Sequence, residues 1–334
     1  MGERNLPVKK NRGVGLDIGS RKIKLVSLRK ERGRLQIETW SSIPTPPGTA
    51  EAGIIYDPRR LGEALGEIVR ESGLKDKNVI SAVAGSQVYT RNLVMPRMKK
   101  DELKEAVRYQ ATTFLPLPVE ETAMDVFPLR DFEDEEGKKT EVFLVAVRRQ
   151  QVQNLELVCS LAGLQLRIVD IEPLALNRVL NDNSGNAVKA FLNLGASHSC
   201  FSVFQDEVPV FNRHWTLGMA AFYPQRETEI PDRDAAIAPG DEDYLVRDLI
   251  AEVARSVDYY NLQNPAALEK IILCGGGSRL RGWDKLIAVN VDCEVEIADP
   301  LVNFMLPSGV TEQVCRELRH DFAVALGLAV RGIG

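Results

Sequence analysis

From Gly13 to Trp40 runs of apolar residues are interrupted twice, at Asp17-Ile18-Gly19-Ser20 and at Glu31-Arg32-Gly33-Arg34. The pattern predicts three short strands over residues 14–18, 22–29 and 34–41, joined by tight turns into a β-meander. Residues 59–72 carry Leu61, Leu65, Ile68 and Val69 at helical spacing, and residues 78–84 read as a buried strand. The opening of the chain is therefore β-β-β-α-β, with a Pro/Gly-rich loop over 44–53.

The same pattern returns at Lys189 to Trp215, again as three strands, with Asn193 in the place of Asp17 and Gly195 in that of Gly19. A helix over 244–260 and a strand over 270–273 follow, the latter running into Cys274-Gly-Gly-Gly-Ser278. Two copies at so long an interval exclude a solenoid and predict two similar domains that face each other. Between them, residues 91–169 read as a small α+β insert: helix 100–114, strands 125–129 and 141–148, amphipathic helix 150–162 and closing strand 166–170. Its acidic segment 131–139 is expected to be a solvated hairpin tip, and the Pro- and charge-rich segment 223–243 a mobile loop. The domain map is thus 13–90, completed by 170–187 and a C-terminal helix 318–332, with the insert at 91–169 and a second domain at 188–317.

With 44% apolar and 27% charged residues the chain has material for two cores. A formal charge of −5 without a long basic run argues against a nucleic-acid partner. Five widely spaced cysteines, never in Cys-x-x-Cys, suggest neither a disulfide framework nor a zinc site. The first ten residues hold no apolar signal core, and no run of about 18 uncharged apolar residues offers a membrane span. The expected location is the cytoplasm.

A carboxylate inside an apolar run needs a partner or a task, since desolvating it alone is costly. Asp17 is either a turn residue at a strand end or a site residue. A strand-turn-strand bearing Asp-x-Gly brings backbone N–H groups close to phosphate oxygens, and its carboxylate can hold a magnesium-bound water. The copy at Asn193-Leu-Gly-Ala makes a clamp of two facing hairpins, and Cys274–Ser278 adds a side-chain-free turn on which a purine or phosphate can rest. By itself that turn is equally an ordinary connection.

Taken with "GLDIGSRKIKLV", "AVAGSQVYTRNLVMPRMKKDELKEAVRYQATTFLPLP", "EVARSVDYY" and "CGGGSRLRGW", these features resemble the actin-like ATPases, and within them the FtsA-like PilM family of type IV pilus assembly. The resemblance runs from Gly13 to the C-terminal "FAVALGLAVRG". It implies a mixed α/β actin-like ATPase fold, two ribonuclease H-like domains flanking a nucleotide cleft, with an FtsA/PilM-type insert. It assigns Asp17, Gly19, Ser20 and Lys24 to the first phosphate loop and Asn193, Gly195, Ala196 and Ser199 to the second. Gly275, Gly276, Gly277 and Ser278 are expected to face the adenosine, and Glu252 and Arg255, one helical turn apart, the ribose side, unless they form only an exposed ion pair. ATP and Mg2+, the latter held by Asp17 through water, are the implied cofactors. The implied partner is the N-terminal cytoplasmic peptide of a PilN-like inner-membrane protein, bound as an extended segment between the insert and the first domain, so that any membrane association is indirect.

Two departures bear on chemistry. Asn193 replaces an aspartate of the family pattern, so weak or absent hydrolysis is expected, with faster turnover on restoring the acid. Arg21-Lys22 replaces small hydroxyl residues and can pair with phosphate or crowd it. His198, beside Ser199, has no acid close in sequence to orient it. The leading expectation is a nucleotide-dependent assembly scaffold. The alternatives are a phosphotransferase or ATPase of the sugar-kinase type, against which no substrate-base motif is found, and a GspL-like type II secretion component, a family that usually continues into a membrane span.

Overall fold

The structure, a computed structural model, describes residues 11–181, 187–205, 207–222, 243–280 and 282–333. The opening meander forms as Arg12–Ile18, Lys22–Glu31 and Arg34–Pro44, each strand antiparallel to the next. Its second turn is built from Arg32 and Gly33, both with positive φ (50° and 81°), the geometry that a two-residue hairpin turn requires. Asn78–Val83 and Gln165–Ile171 add in parallel on one side and the short Phe304–Met305 on the other, giving a six-stranded sheet.

The second sheet repeats this plan. Val188–Leu194, Ser199–Gln205 and Val208–Trp215 form the meander, Lys270–Cys274 adds in parallel to its first strand, and Glu294–Ile297 adds in parallel to Lys270–Cys274. The duplication extends to register: Asp17 lies opposite Lys24, and Asn193 opposite Cys200, one residue before the end of the respective first strand. This is the actin-like ATPase fold that the resemblance implied.

A helix pair holds the two sheets together. Ala323–Ile333 lies directly on the first strand, and Gly13 and Gly15 make that approach possible, because a Cβ at either would stand 1.9 Å from a carbonyl oxygen of Ala329 or Ala325. Glu172–Leu180 packs on the same helix. Their apolar faces merge Val26 and Leu28 of the first half with Phe191 and Phe204 of the second into one core, so the halves are joined through shared packing.

The inserted sheet is Val88–Pro96, Gly137–Arg148 and Thr122–Asp134, with the middle strand central and helix Lys100–Ala111 against one face. Its core joins Leu93, Met95, Leu103, Val107 and Leu144. Residues 135 and 136 form its exposed hairpin tip, where Lys139 pairs with Asp134 at 2.8 Å. The unit read from sequence as 91–169 divides here. Helix Arg149–Leu161 buries Leu155, Val158 and Cys159 among Leu61, Leu65 and Ile68 of the first half, and Gln165–Ile171 pairs with Asn78–Val83. The reason is topological: two adjacent parallel strands need a crossover helix. The insert is a detour within that crossover, over residues 88–148. Similarly, Phe304–Met305 pairs with the first sheet, although it falls within the range read as the second domain.

The helix expected over 244–260 runs from Asp243 to Gln263. The segment 223–243 read as a loop lies, up to residue 242, outside the described residues, as do the first ten residues. Among the described residues no helix is long and apolar enough to cross a membrane.

Candidate functional site

The two hairpin turns and the glycine turn converge on one cleft of about 340 Å³ between the halves. In the first hairpin Gly19 N–H donates to Lys22 O at 3.0 Å, which closes a tight turn and presents Ser20 and Arg21 to the cleft. Asp17 accepts from Lys24 Nζ at 2.8 Å, its direct cross-strand neighbour, and both side chains are largely buried. Burial pulls the Lys24 ammonium down, but the carboxylates of Asp17 and Asp321 outweigh it and hold its pKa above the ordinary lysine value. The carboxylate in the apolar run therefore has a partner within its own hairpin.

The second hairpin repeats the closure, with Gly195 N–H donating to His198 O at 3.1 Å. Gly195 and Ala196 line the cleft, and Ser197 Oγ accepts from Ala52 N–H at 2.8 Å, which ties this turn to the first half. Ser199 is fully buried and donates to Leu217 O at 2.7 Å, so it braces the following segment instead of facing the cleft.

At the glycine turn, Gly275 has φ 80°, and a Cβ there would lie 2.1 Å from Asn193 Oδ1. Gly275 and Gly276 line the cleft. Gly277 faces the core, where a Cβ would meet Met219 Cγ at 2.6 Å. Buried Ser278 donates to Gly275 O at 2.8 Å and, its proton so used, accepts from His320 Nδ1 at 2.9 Å. Glu252 and Arg255 pair with each other at 2.5 Å, and Glu252 also takes Arg213 at 2.8 Å. Arg255 is 57% exposed, and neither helix residue lines the cleft.

Two contributors escaped the sequence reading. The first is Glu172, the first residue of a helix in which Pro173 follows. It is 4% exposed, accepts from the Asn193 side-chain amide, and lies 3.5 Å from His198 Nε2. Burial alone would raise the Glu172 pKa, but the hydrogen bond and charge of His198 hold it below the ordinary glutamate value. Burial likewise disfavours imidazolium, yet Glu172 raises the His198 pKa. An acid at a helix N-terminus just after a strand is a signal that could have marked Glu172. The second contributor is helix Glu312–Asp321, which lines the cleft with Arg316, Glu317, His320 and Asp321.

The donor set suits a magnesium polyphosphate. Lys22, Lys24 and Arg279 supply cationic donors beside tight glycine turns, and Glu172 adds a buried carboxylate at the cleft, paired with His198. Among the described residues no group of three or more His, Cys, Asp or Glu could hold a metal by itself. Magnesium that enters with a polyphosphate needs no such cage, since it keeps waters and shares phosphate oxygens with one or two carboxylates.

The family model for type IV pilus assembly protein PilM matches residues 15–225 and 244–333. A solved PilM-PilN type IV pilus biogenesis complex is similar over 96% of this chain and 98% of that one, at 26% identity and a TM-score of 0.85. The ethanolamine utilization protein EutJ from Carboxydothermus hydrogenoformans shares the fold, with a TM-score of 0.55 at 14% identity over 98% of this chain and 91% of that one.

Proposed function

We propose, from the premise that this chain belongs to the PilM family of type IV pilus assembly proteins, that it is a nucleotide-responsive assembly scaffold. ATP with Mg2+ occupies the cleft, and an extended N-terminal peptide of a PilN-like inner-membrane protein docks on the insert. The observation that carries the nucleotide reading is the convergence of two duplicated hairpins and a glycine turn on one cleft with cations from both halves. The bound nucleotide would supply phosphate charge and a magnesium-held water. Lys24 and the turns at Gly19 and Gly195 would orient the phosphates, Asp17 would hold the metal through water, and Gly276 would leave room for the base.

The peptide reading draws support from a groove of about 270 Å³ lined by Val88, Arg91, Phe114, Leu115, Leu144 and His214. Two sheet edges border it: Val88–Pro96 of the insert and Val208–Trp215 of the second half. Unpaired edge N–H and C=O groups pair readily with an extended chain, and apolar pockets select its side chains. The groove thus opens toward the second half, whereas the resemblance alone pointed to the first. Indirect attachment to the inner membrane through this partner follows from the same reading.

For a scaffold, what matters is a shift between cleft states, and fast chemistry is not required. Titration of Mg·ATP by calorimetry, alone and with the partner peptide present, tests the reading. Absence of heat at any nucleotide concentration with well-folded protein defeats the nucleotide half, and absence of peptide binding defeats the docking half.

A further inference from the structure

The cations that face the cleft are already occupied. Lys22, at the first phosphate hairpin, and Arg279, at the end of the glycine turn, come from opposite halves. Both are paired with one carboxylate, Asp321, at 3.3 Å and 2.7 Å, and that side chain is only 9% exposed. Neighbouring residues of its helix reinforce the bridge. Glu317 accepts from Ser42 Oγ at 2.9 Å and lies 3.4 Å from Lys22 on the first half, and His320 bonds Ser278 at 2.9 Å on the second. Asp321 also ends helix Glu312–Asp321, where the helix dipole disfavours a negative charge. Local helix stability does not explain an acid there; the two cations do.

We propose that Asp321 is an internal anion that latches the two halves across the cleft and competes with incoming phosphate for Lys22 and Arg279. This rests on the reading of the cleft as a polyphosphate site. In the latched state the carboxylate neutralises both cations and closes helix Glu312–Asp321 over the mouth. An entering polyphosphate takes over the two ion pairs and frees Asp321, so that ligand entry and release of the bridge are one event. The latch sets apparent affinity, because ligand binds only the unlatched fraction.

The consequence is opposite to that of removing an ordinary binding residue. Asp321→Asn keeps the shape but removes the charge, and it is expected to bind Mg·ATP and inorganic tripolyphosphate about tenfold more tightly, the factor for a latch closed in about nine of ten molecules. Calorimetric titration of both probes into wild type and variant reads this directly. If wild type binds and Asp321→Asn binds equally or more weakly, the latch is wrong and the cleft reading stands. If neither protein binds either probe, the cleft reading falls and takes the latch with it. Amide hydrogen exchange of the wild-type protein gives an answer independent of any variant. Tripolyphosphate is expected to speed exchange across Glu312–Asp321; slower exchange there overturns the proposal.

Discussion

Asn193 donates its side-chain amide to Glu172 across the seam between the two halves, with 8% and 4% of the respective residues exposed. Asn193 sits in register between Cys200 and Cys274, neither of which offers a charge, so Glu172 is its polar partner. An amide suits this place because it can donate to a buried carboxylate, and an ionised aspartate could not. The residue that sequence reading treated as a lost catalytic acid is thus a structural donor to a carboxylate that the reading had not found.

Asn193→Asp therefore sets two buried carboxylates side by side, and one of them must take up a proton or lose its partner. Faster turnover, the expectation from sequence, is replaced by a loss of about 1–3 kcal/mol in stability, the cost of leaving a buried polar group unsatisfied. Urea denaturation at neutral pH measures it, with phosphate release as a second readout that should not rise. A variant as stable as wild type would show that the amide bond matters little.

His198 at the cleft and His214 at the groove should act oppositely on stability as pH changes. The His198 pKa is raised in the fold, so its contribution is fully present below the unfolded value of 6.5 and is lost as pH rises through the folded value. Glu172, held below 4.5, contributes above that value and loses its contribution as pH falls through its folded pKa. The pair is therefore at full strength between 4.5 and 6.5. His214 is buried and its pKa is lowered to about 4, so it stays neutral while the unfolded chain protonates, and stability falls from pH 6.5 down through about 4. Melting curves across this range should show wild type losing most to His198→Gln near pH 5–6, and His214→Gln should flatten the acid-side decline. Parallel pH profiles for all three proteins would refute the assignment.

Adjacent glycines should give different phenotypes. Gly275→Ala drives a Cβ to within 2.1 Å of Asn193 Oδ1 at a positive φ, so a lower melting temperature is expected. Gly276 lines the cleft, and Gly276→Val is expected to leave the melt near wild type while abolishing nucleotide binding in a calorimetric titration. Normal nucleotide binding by Gly276→Val would make the turn an ordinary connection.

Leu115 lines the groove on the insert and is only partly buried, which lets the fold accept a charge there. Leu115→Glu should reduce binding of a PilN-type peptide at least tenfold, a loss of about 1.4 kcal/mol, and leave Mg·ATP affinity unchanged. Fluorescence anisotropy with a labelled peptide, run beside a nucleotide titration, separates the two. Simultaneous loss of both would indicate that the insert and cleft do not behave as distinct sites.

The duplicated meander was legible because burial on one face of a strand imposes a pattern on the chain, and the pattern was strong enough to align Asp17 with Asn193. Lys24 as the partner of Asp17 was within reach of hairpin arithmetic, since the two face each other across one tight turn. Glu172 and Asp321 were not legible in this way. Each is an acid at a helix end, far in sequence from the cations and amide it meets; the place of Glu172 at a helix N-terminus just after a strand is a local signal, whereas Asp321 carries none that distinguishes solvent from a cleft. The insert boundary was misjudged for a related reason: helix Arg149–Leu161 has the amphipathic spacing of either neighbour, and the parallel pairing of Gln165–Ile171 with Asn78–Val83 assigns it.

The central claim is that cleft and groove belong to one switch, so nucleotide and peptide must affect each other's binding equally. Calorimetric titration of Mg·ATP into the wild-type protein, first alone and then saturated with a PilN-type N-terminal peptide, measures that coupling. The account predicts one nucleotide site and a change in affinity of roughly 5-fold or more with peptide bound, about 1 kcal/mol of coupling, matched by the same factor when the order of addition is reversed. Identical nucleotide isotherms with and without bound peptide would contradict it.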